Sequence, residues 1–302
     1  MSHFWVRHIF FLQRMAAIRK RAVRKEVDLD EMVKSGPSGA YEALQLFRSK
    51  AIRQRSKNEF LEAVKTTAVG AKCLLVNGYE TAGSELSNLS LELVTENKFD
   101  LNEELRALFT EIDSAYPKTS PARVEFLKGV VKWTILCGRK ELGDAQMQTR
   151  LADCLWEVND KTAAFHFAAG EAPVPYNDKI FATFTEANQQ DKRDQALTLG
   201  VANFLALENL RDANEMVFRY KKISKEKGFR LDSKLIKFND YLLLTCRRDA
   251  APLFKQLVNA YASDLDFDET VPTLMLGPIA VRMFGIKPKI NPMMSMLQSM
   301  IA

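Results

Sequence analysis

Glycine and proline are scarce in this chain, at 13 and 10 of 302 residues, roughly 4% and 3% against usual values of about 7% and 5%. So few turn-formers argue against a fold of many short strands and for long helices. Cysteine is rarer still. Cys73, Cys137, Cys154 and Cys246 are widely spaced with no CxxC pair, which fits reduced, buried thiols of a cytosolic protein rather than a zinc module or a disulfide framework. Histidine occurs only at positions 3, 8 and 166. There is no GxxxxGK[ST], no GxGxxG after a strand, no HExxH and no GxSxG, so the common nucleotide, zinc-protease and hydrolase signatures are missing. No run after the first residues approaches the roughly 18 uncharged apolar residues of a membrane span. The expectation is a non-enzyme without cofactor or metal, and without direct membrane insertion.

Charge of one sign is missing from residues 1–25, which hold Arg7, Arg14, Arg19, Lys20, Arg21, Arg24 and Lys25 but no acid. Seven of the 43 basic residues lie there, leaving 36 against 38 acidic ones. The formal charge of +5 therefore belongs to an arm, and a nucleic-acid-binding body loses its main support. Arg7 and His8 interrupt the apolar start and no small-residue cleavage site follows, which speaks against a secretory signal. The arm is short of serine, which counts against a mitochondrial transit peptide. Residues 1–38 read as a disordered or loosely helical basic arm.

What the chain does contain is helical periodicity. "AYEALQLFRSKAIRQR" (40–55) and "KNEFLEAVKTTAVGAKCLLVNG" (57–78) repeat apolar residues at helical spacing, and Asn77-Gly78 is a stop signal. Gly70 interrupts the second stretch at a helix-propensity cost of about 1 kcal/mol, which a close helix crossing would offset. Further helices are expected at 81–97, 101–115, 121–137, 144–158, 161–170, 177–189, 192–208, 211–226, 233–247, 251–263 and 272–284. Short connections require consecutive helices to pack as antiparallel pairs. The expected fold is all-α, an α-solenoid of stacked helix pairs. Ala152 and Ala164, on either side of the turn "EVNDK", resemble the small-residue crossing of a tetratricopeptide pair, although Ala168 stands where an aromatic belongs.

Few residues propose chemistry. His166 lies between Phe165 and Phe167 with no second histidine in reach, and reads as packed with one nitrogen bonded. Trp133 and Trp156 read as core wedges. Glu103-Glu104 and Asp266…Asp268-Glu269 could serve acid–base work, but acids at helix starts are more often caps. The sequon at Asn88 falls inside an expected helix. The stretch 289–302 places Met293, Met296, Leu297, Met300 and Ile301 on one apolar stripe, either a binding helix or a segment folded onto its own array.

Several segments in order from about 39 to 289 carry a family resemblance: "GAYEALQLFRSKAIRQR" with "VGAKCLLVNG", "SPARVEFLKGVVKWT", "LADCLWEVNDKTAAFHFAAG", "VANFLALENLRDANEMVFRY" and "MFGIKPK". Together they resemble the helical scaffold subunit of the guided-entry pathway for tail-anchored membrane proteins, the fourth Golgi-to-ER-traffic subunit. Departures are Gln54-Arg55, where the family commonly has Arg-Tyr, and Glu85, where an Asp-Leu pair is usual. The resemblance implies a cytosolic scaffold whose N-terminal half (39–140) docks a dimeric targeting ATPase. Its C-terminal half (141–288) would hold a ubiquitin-like subunit, joined in animals by a large ubiquitin-like-domain chaperone. On this reading Tyr41, Glu42, Arg48, Arg55 and Lys57, with Glu85, form the ATPase face. Helix 233–247 has more apolar residues than one stripe requires. With 251–261 it suggests a second buried face of Phe238, Leu242, Leu243, Phe254, Leu257 and Val258 for the ubiquitin-like subunit; otherwise helix 272–284 and the methionine stretch cap it.

Two rival readings remain at this point. A solenoid subunit of a proteasome-lid or initiation-factor complex would end in a winged-helix module with strands, and the last 60 residues show little strand alternation. A helical enzyme with a cryptic carboxylate site would need a paired acid at defined spacing, which the sequence does not offer.

Overall fold

The structure, a computed structural model, describes residues 29–138 and 141–286. The basic residues of the arm, 1–25, and the methionine stretch 289–302 lie outside these. Among the described residues there are helices and turns and no strand.

The contacts divide the chain into two compact units, between Pro117 and Lys118, earlier than the boundary expected at 140. The first unit holds α1 (Leu29–Lys34), α2 (Pro37–Ser56), α3 (Phe60–Val76), α4 (Glu80–Glu96) and α5 (Glu103–Ala115). The second begins with α6 (Pro121–Cys137), α7 (Ala145–Glu157), α8 (Ala163–Ala169), α9 (Pro173–Thr183), α10 (Gln190–Ala206) and α11 (Leu210–Glu226). It continues with α12 (Lys234–Arg247), α13 (Ala251–Ala260), α14 (Ala262–Leu265), α15 (Thr270–Leu274), a π-helical turn (Met275–Ile279) and α16 (Ala280–Phe284). Consecutive helices joined by short turns pack as pairs, and the pairs stack within each unit: the α-solenoid expected from periodicity.

Three elements differ from the expectation. α1 is a helix inside the stretch read as arm, anchored by Val33, which is fully buried. The helix expected at 177–189 runs Pro173–Thr183. Its prolines read as a boundary but occupy the first turn, where backbone N–H groups have no intrahelical partner to lose. The helix expected at 272–284 is interrupted by a π turn around Pro278, where a missing N–H and a ring clash break the α ladder.

The corners share one device. After α2, α3, α4, α7, α8, α10, α11 and α12 one residue takes positive φ: Asn58, Gly78, Lys98, Asn159, Glu171, Glu208, Gly228 and Asp249. At each, two crossed bonds close the helix end, as in Gly78 N–H to Leu75 C=O at 3.0 Å and Tyr79 N–H to Leu74 C=O at 2.9 Å. This is the Schellman motif. It explains how a chain so poor in glycine turns so often: Lys, Glu, Asn and Asp take the left-handed position at a cost of about 1–2 kcal/mol each.

Between the corners, small residues set the crossings. A Cβ at Gly70 would lie 2.6 Å from Phe47 Cγ and 2.7 Å from Leu86 Cδ1, so α3 passes closer to α2 and α4 than any other residue allows. Ala152 and Ala164 are buried at the α7–α8 crossing. Polar links between alternate helices connect residues 37 to 41 apart. That register is longer than the ~34 residues of a tetratricopeptide repeat.

Candidate functional site

The first candidate surface is the outer side of α2. Tyr41, Arg48 and Arg55 recur every second turn along one stripe, and Tyr41 is 63% exposed. Glu42 is also exposed, and Lys57 caps the helix with its backbone N–H on Gln54 C=O. From Tyr41 to Lys57 the surface extends about 24 Å at 1.5 Å per residue, a length suited to a protein partner. α4 completes it. Arg48 Nη1 donates to Glu85 Oε1 at 2.6 Å, and Arg55 pairs with Glu96 at 3.0 Å. Two residues named separately from sequence, Arg48 and Glu85, are thus brought together; Glu96 was missed, because only packing shows which acid of α4 faces Arg55.

A second ladder lies alongside. Lys65 pairs with Glu104 at 2.8 Å and Lys72 with Glu111 at 3.0 Å. The bonds to Glu104 and Glu62 hold the Lys65 ammonium above its ordinary range. Val69 and Val76 stand exposed on the same helix.

The second candidate surface is at α12 and α13, and here the named residues need correction. Phe238, Leu242, Leu243, Phe254 and Val258 are all buried within the chain itself, so they are core. Phe254 stacks on Phe284 of α16 with centroids 4.5 Å apart, and Phe238 lies against Tyr261. Helix 272–284 was the alternative cap, and its last turn covers Phe254. The second stripe of α12 does exist, but it is Tyr241 and Leu244, 52% and 40% exposed. On α13 it is Leu253, 52% exposed, with Leu257, the single named residue on this side. These residues, with Arg248 and Ala260, line an open groove of about 530 Å³. Periodicity reveals that two stripes are apolar; it does not reveal which one faces inward.

The residues that proposed chemistry are structural. His166 Nδ1 lies 2.6 Å from Gln148 Oε1, and burial holds the imidazole below its ordinary pKa against the opposing charge of Asp160. Trp133 is buried. Trp156 packs edge-on against Phe167, Tyr176 and Phe184 and donates Nε1–H to Thr183 Oγ1 at 2.9 Å. Asp268 accepts from the Thr270 N–H at 2.9 Å and pairs with Lys161 at 3.0 Å. Burial raises its pKa, but Thr270 and Lys161 outweigh burial and hold the carboxyl below its ordinary range. Glu103 pairs with Arg106 one turn on. Cys246 is pushed up to about 12 by burial, so its thiol is not a nucleophile. No group of three potential metal ligands occurs among the described residues, and no helix there is long and apolar enough to cross a membrane.

Comparisons with known proteins bear on the family and the fold. A family model described as "Golgi to ER traffic protein 4" matches residues 57–301. "Protein GET4" of Arabidopsis thaliana is 28% identical, over 91% of this chain and 94% of its own. The "Golgi to ER traffic protein 4 homolog" of Homo sapiens is 27% identical, over 82% and 76%. A solved structure, "Crystal structure of C. therm. Get4", superposes with a TM-score of 0.74 at 21% identity, covering 91% of this chain and 93% of that one; the likeness is one of fold.

Proposed function

The chain belongs to the Golgi to ER traffic protein 4 family, and from that premise we propose that it is a cytosolic scaffold in the targeting of tail-anchored membrane proteins to the endoplasmic reticulum. The N-terminal unit docks a dimeric targeting ATPase along α2 and α4. The C-terminal unit holds a ubiquitin-like subunit and, in animals, a large ubiquitin-like-domain chaperone, so that the client passes to the ATPase. The observation that carries the reading is the family match, which runs through both units. It begins at Lys57, so of the ATPase-face residues only Lys57 and Glu85 fall inside it; the case for Tyr41, Glu42, Arg48 and Arg55 rests on their exposure and on the pairing of Arg48 with Glu85. For the ubiquitin-like subunit, the exposed stripe of Tyr241, Leu244, Leu253 and Leu257 replaces the core residues as the docking face, because large apolar patches are seldom left open to water.

Charged rims steer association and make it salt-dependent. The double variant Arg48→Glu, Arg55→Glu sets acid against Glu85 and Glu96, and should weaken ATPase binding most at low salt while the helical circular dichroism stays unchanged. Titration of the full chain with the dimeric ATPase measures this. Equal affinity for variant and parent would move the ATPase site to another face.

A further inference from the structure

The groove between α12 and α13 is built from two matching strips. Tyr241, Leu244 and Arg248 stand at i, i+3 and i+7 on α12, and Leu253, Leu257 and Ala260 at i, i+4 and i+7 on α13. Two such strips leave a furrow shaped for a third helix bearing the same spacing. The chain carries a segment with that spacing. Met293, Met296, Leu297 and Met300 follow i, i+3, i+4, i+7 directly after Pro292, a residue suited to a helix start. From Ile290 to Ala302 no side chain is charged, so seating this stretch in an apolar furrow takes no charge out of water.

The last described helix, α16, lies against α13. The Phe284 ring rests on Phe254 at 4.5 Å, and Phe254 sits on α13 between the groove residues Leu253 and Leu257. Gly285, at φ 60°, turns the chain out of α16. Residues 287–291 can span about 17 Å when extended, more than the ~10–12 Å diameter of the helix to be crossed. Reach is therefore not limiting, and methionine suits a furrow of uneven depth.

We infer that the free protein docks its own segment 292–301 in the α12–α13 groove, an intramolecular cap that the ubiquitin-like subunit has to displace. The displacement rests on the docking reading above; the cap does not. The test is a photo-crosslinking phenylalanine analogue at exposed position 253 of the full chain, used without partners, with isotopically light and heavy chains mixed. The expected adduct joins position 253 to residues 292–301 of the same chain. It should fall about tenfold or more in the variant Met296→Asp, Met300→Asp, since burying one such side chain is worth at least a factor of ten. Adducts elsewhere, adducts between light and heavy chains, or a yield unmoved by the two aspartates would each overturn the cap. Adding the ubiquitin-like subunit separates the two ideas. A subunit that binds without lowering the adduct, or does not bind, removes the displacement and the docking face, while the adduct of the protein alone still reports the cap.

Discussion

The two units link alternate helices at nearly the same register, but among the described residues only the C-terminal unit adds buried links to exposed ones such as Arg219–Asp178. In the N-terminal unit they are exposed ion pairs, Arg48–Glu85, Lys65–Glu104 and Lys72–Glu111. In the C-terminal unit several are buried and polar. Asn177 Nδ2 donates to Met216 C=O at 3.1 Å, and Asn239 Nδ2 to Thr198 Oγ1 at 2.9 Å. Beside them Arg193, fully buried, donates to Phe184 C=O at 2.8 Å and Glu186 C=O at 2.7 Å and lies 3.9 Å over the Phe229 ring. Tyr220 donates to Asp194 at 2.5 Å, while burial raises the pKa of Asp194 against that bond. Exposed pairs contribute little and can be exchanged freely; a buried polar group that loses a partner costs more. The N-terminal unit can therefore vary its surface while apolar crossings hold it, whereas the C-terminal unit depends on a few polar side chains.

The largest effect should come from breaking that contrast at its strongest point. Arg193→Met strands two buried carbonyls and removes the charge beside Asp194, and is expected to destabilise the C-terminal unit by about 3 kcal/mol or more. Hydrogen exchange read separately over each unit should show the loss confined to residues after Lys118. Loss spread equally over both units would mean that the units do not differ in the way described.

Acidification probes the same unit more gently. The lowered pKa of His166 means that the folded state binds a proton less readily than the unfolded one. Its contribution is complete above the ordinary value of 6.5 and declines as pH falls below it. The parent protein should therefore lose more stability between neutral pH and pH 5 than His166→Gln, whose amide does not titrate. Identical pH profiles in thermal melts would contradict the buried assignment.

Corners offer a smaller gain that should be alike in both units. Lys98→Gly and Glu208→Gly each relieve a side chain at positive φ, 51° and 61°, and should each raise stability by about 0.5–1 kcal/mol. A rise at one corner only would show that its side chain makes compensating contacts. The smallest effect belongs to the exposed ladder. A double-mutant cycle of Arg48→Ala and Glu85→Ala should return a coupling of at most about 1 kcal/mol, fading with added salt. A larger, salt-resistant coupling would erase the difference between the two kinds of link.

Much of this was legible in the chain itself. Scarce glycine and proline, with apolar residues every third or fourth position, specify helices of about the observed lengths, because amphipathic periodicity is a local property. Gly70 and the Asn77-Gly78 stop were readable for the same reason, and lone His166 read as structural because a metal site needs several ligands. The tertiary structure alone decided which stripe of α12 faces inward. Phe238 and Tyr241 are both aromatic on one helix, and only the docking of α16 on α13, with Tyr261 against Phe238, separates core from surface. It alone paired Arg48 with Glu85 and Arg55 with Glu96, since partners more than thirty residues apart are chosen by the stacking of helices. It alone gathered Arg193, Asp194 and Tyr220, which are unremarkable in sequence, into one buried polar knot. Periodicity along a helix says that a side chain has a face; what the face meets is set by the neighbouring helices.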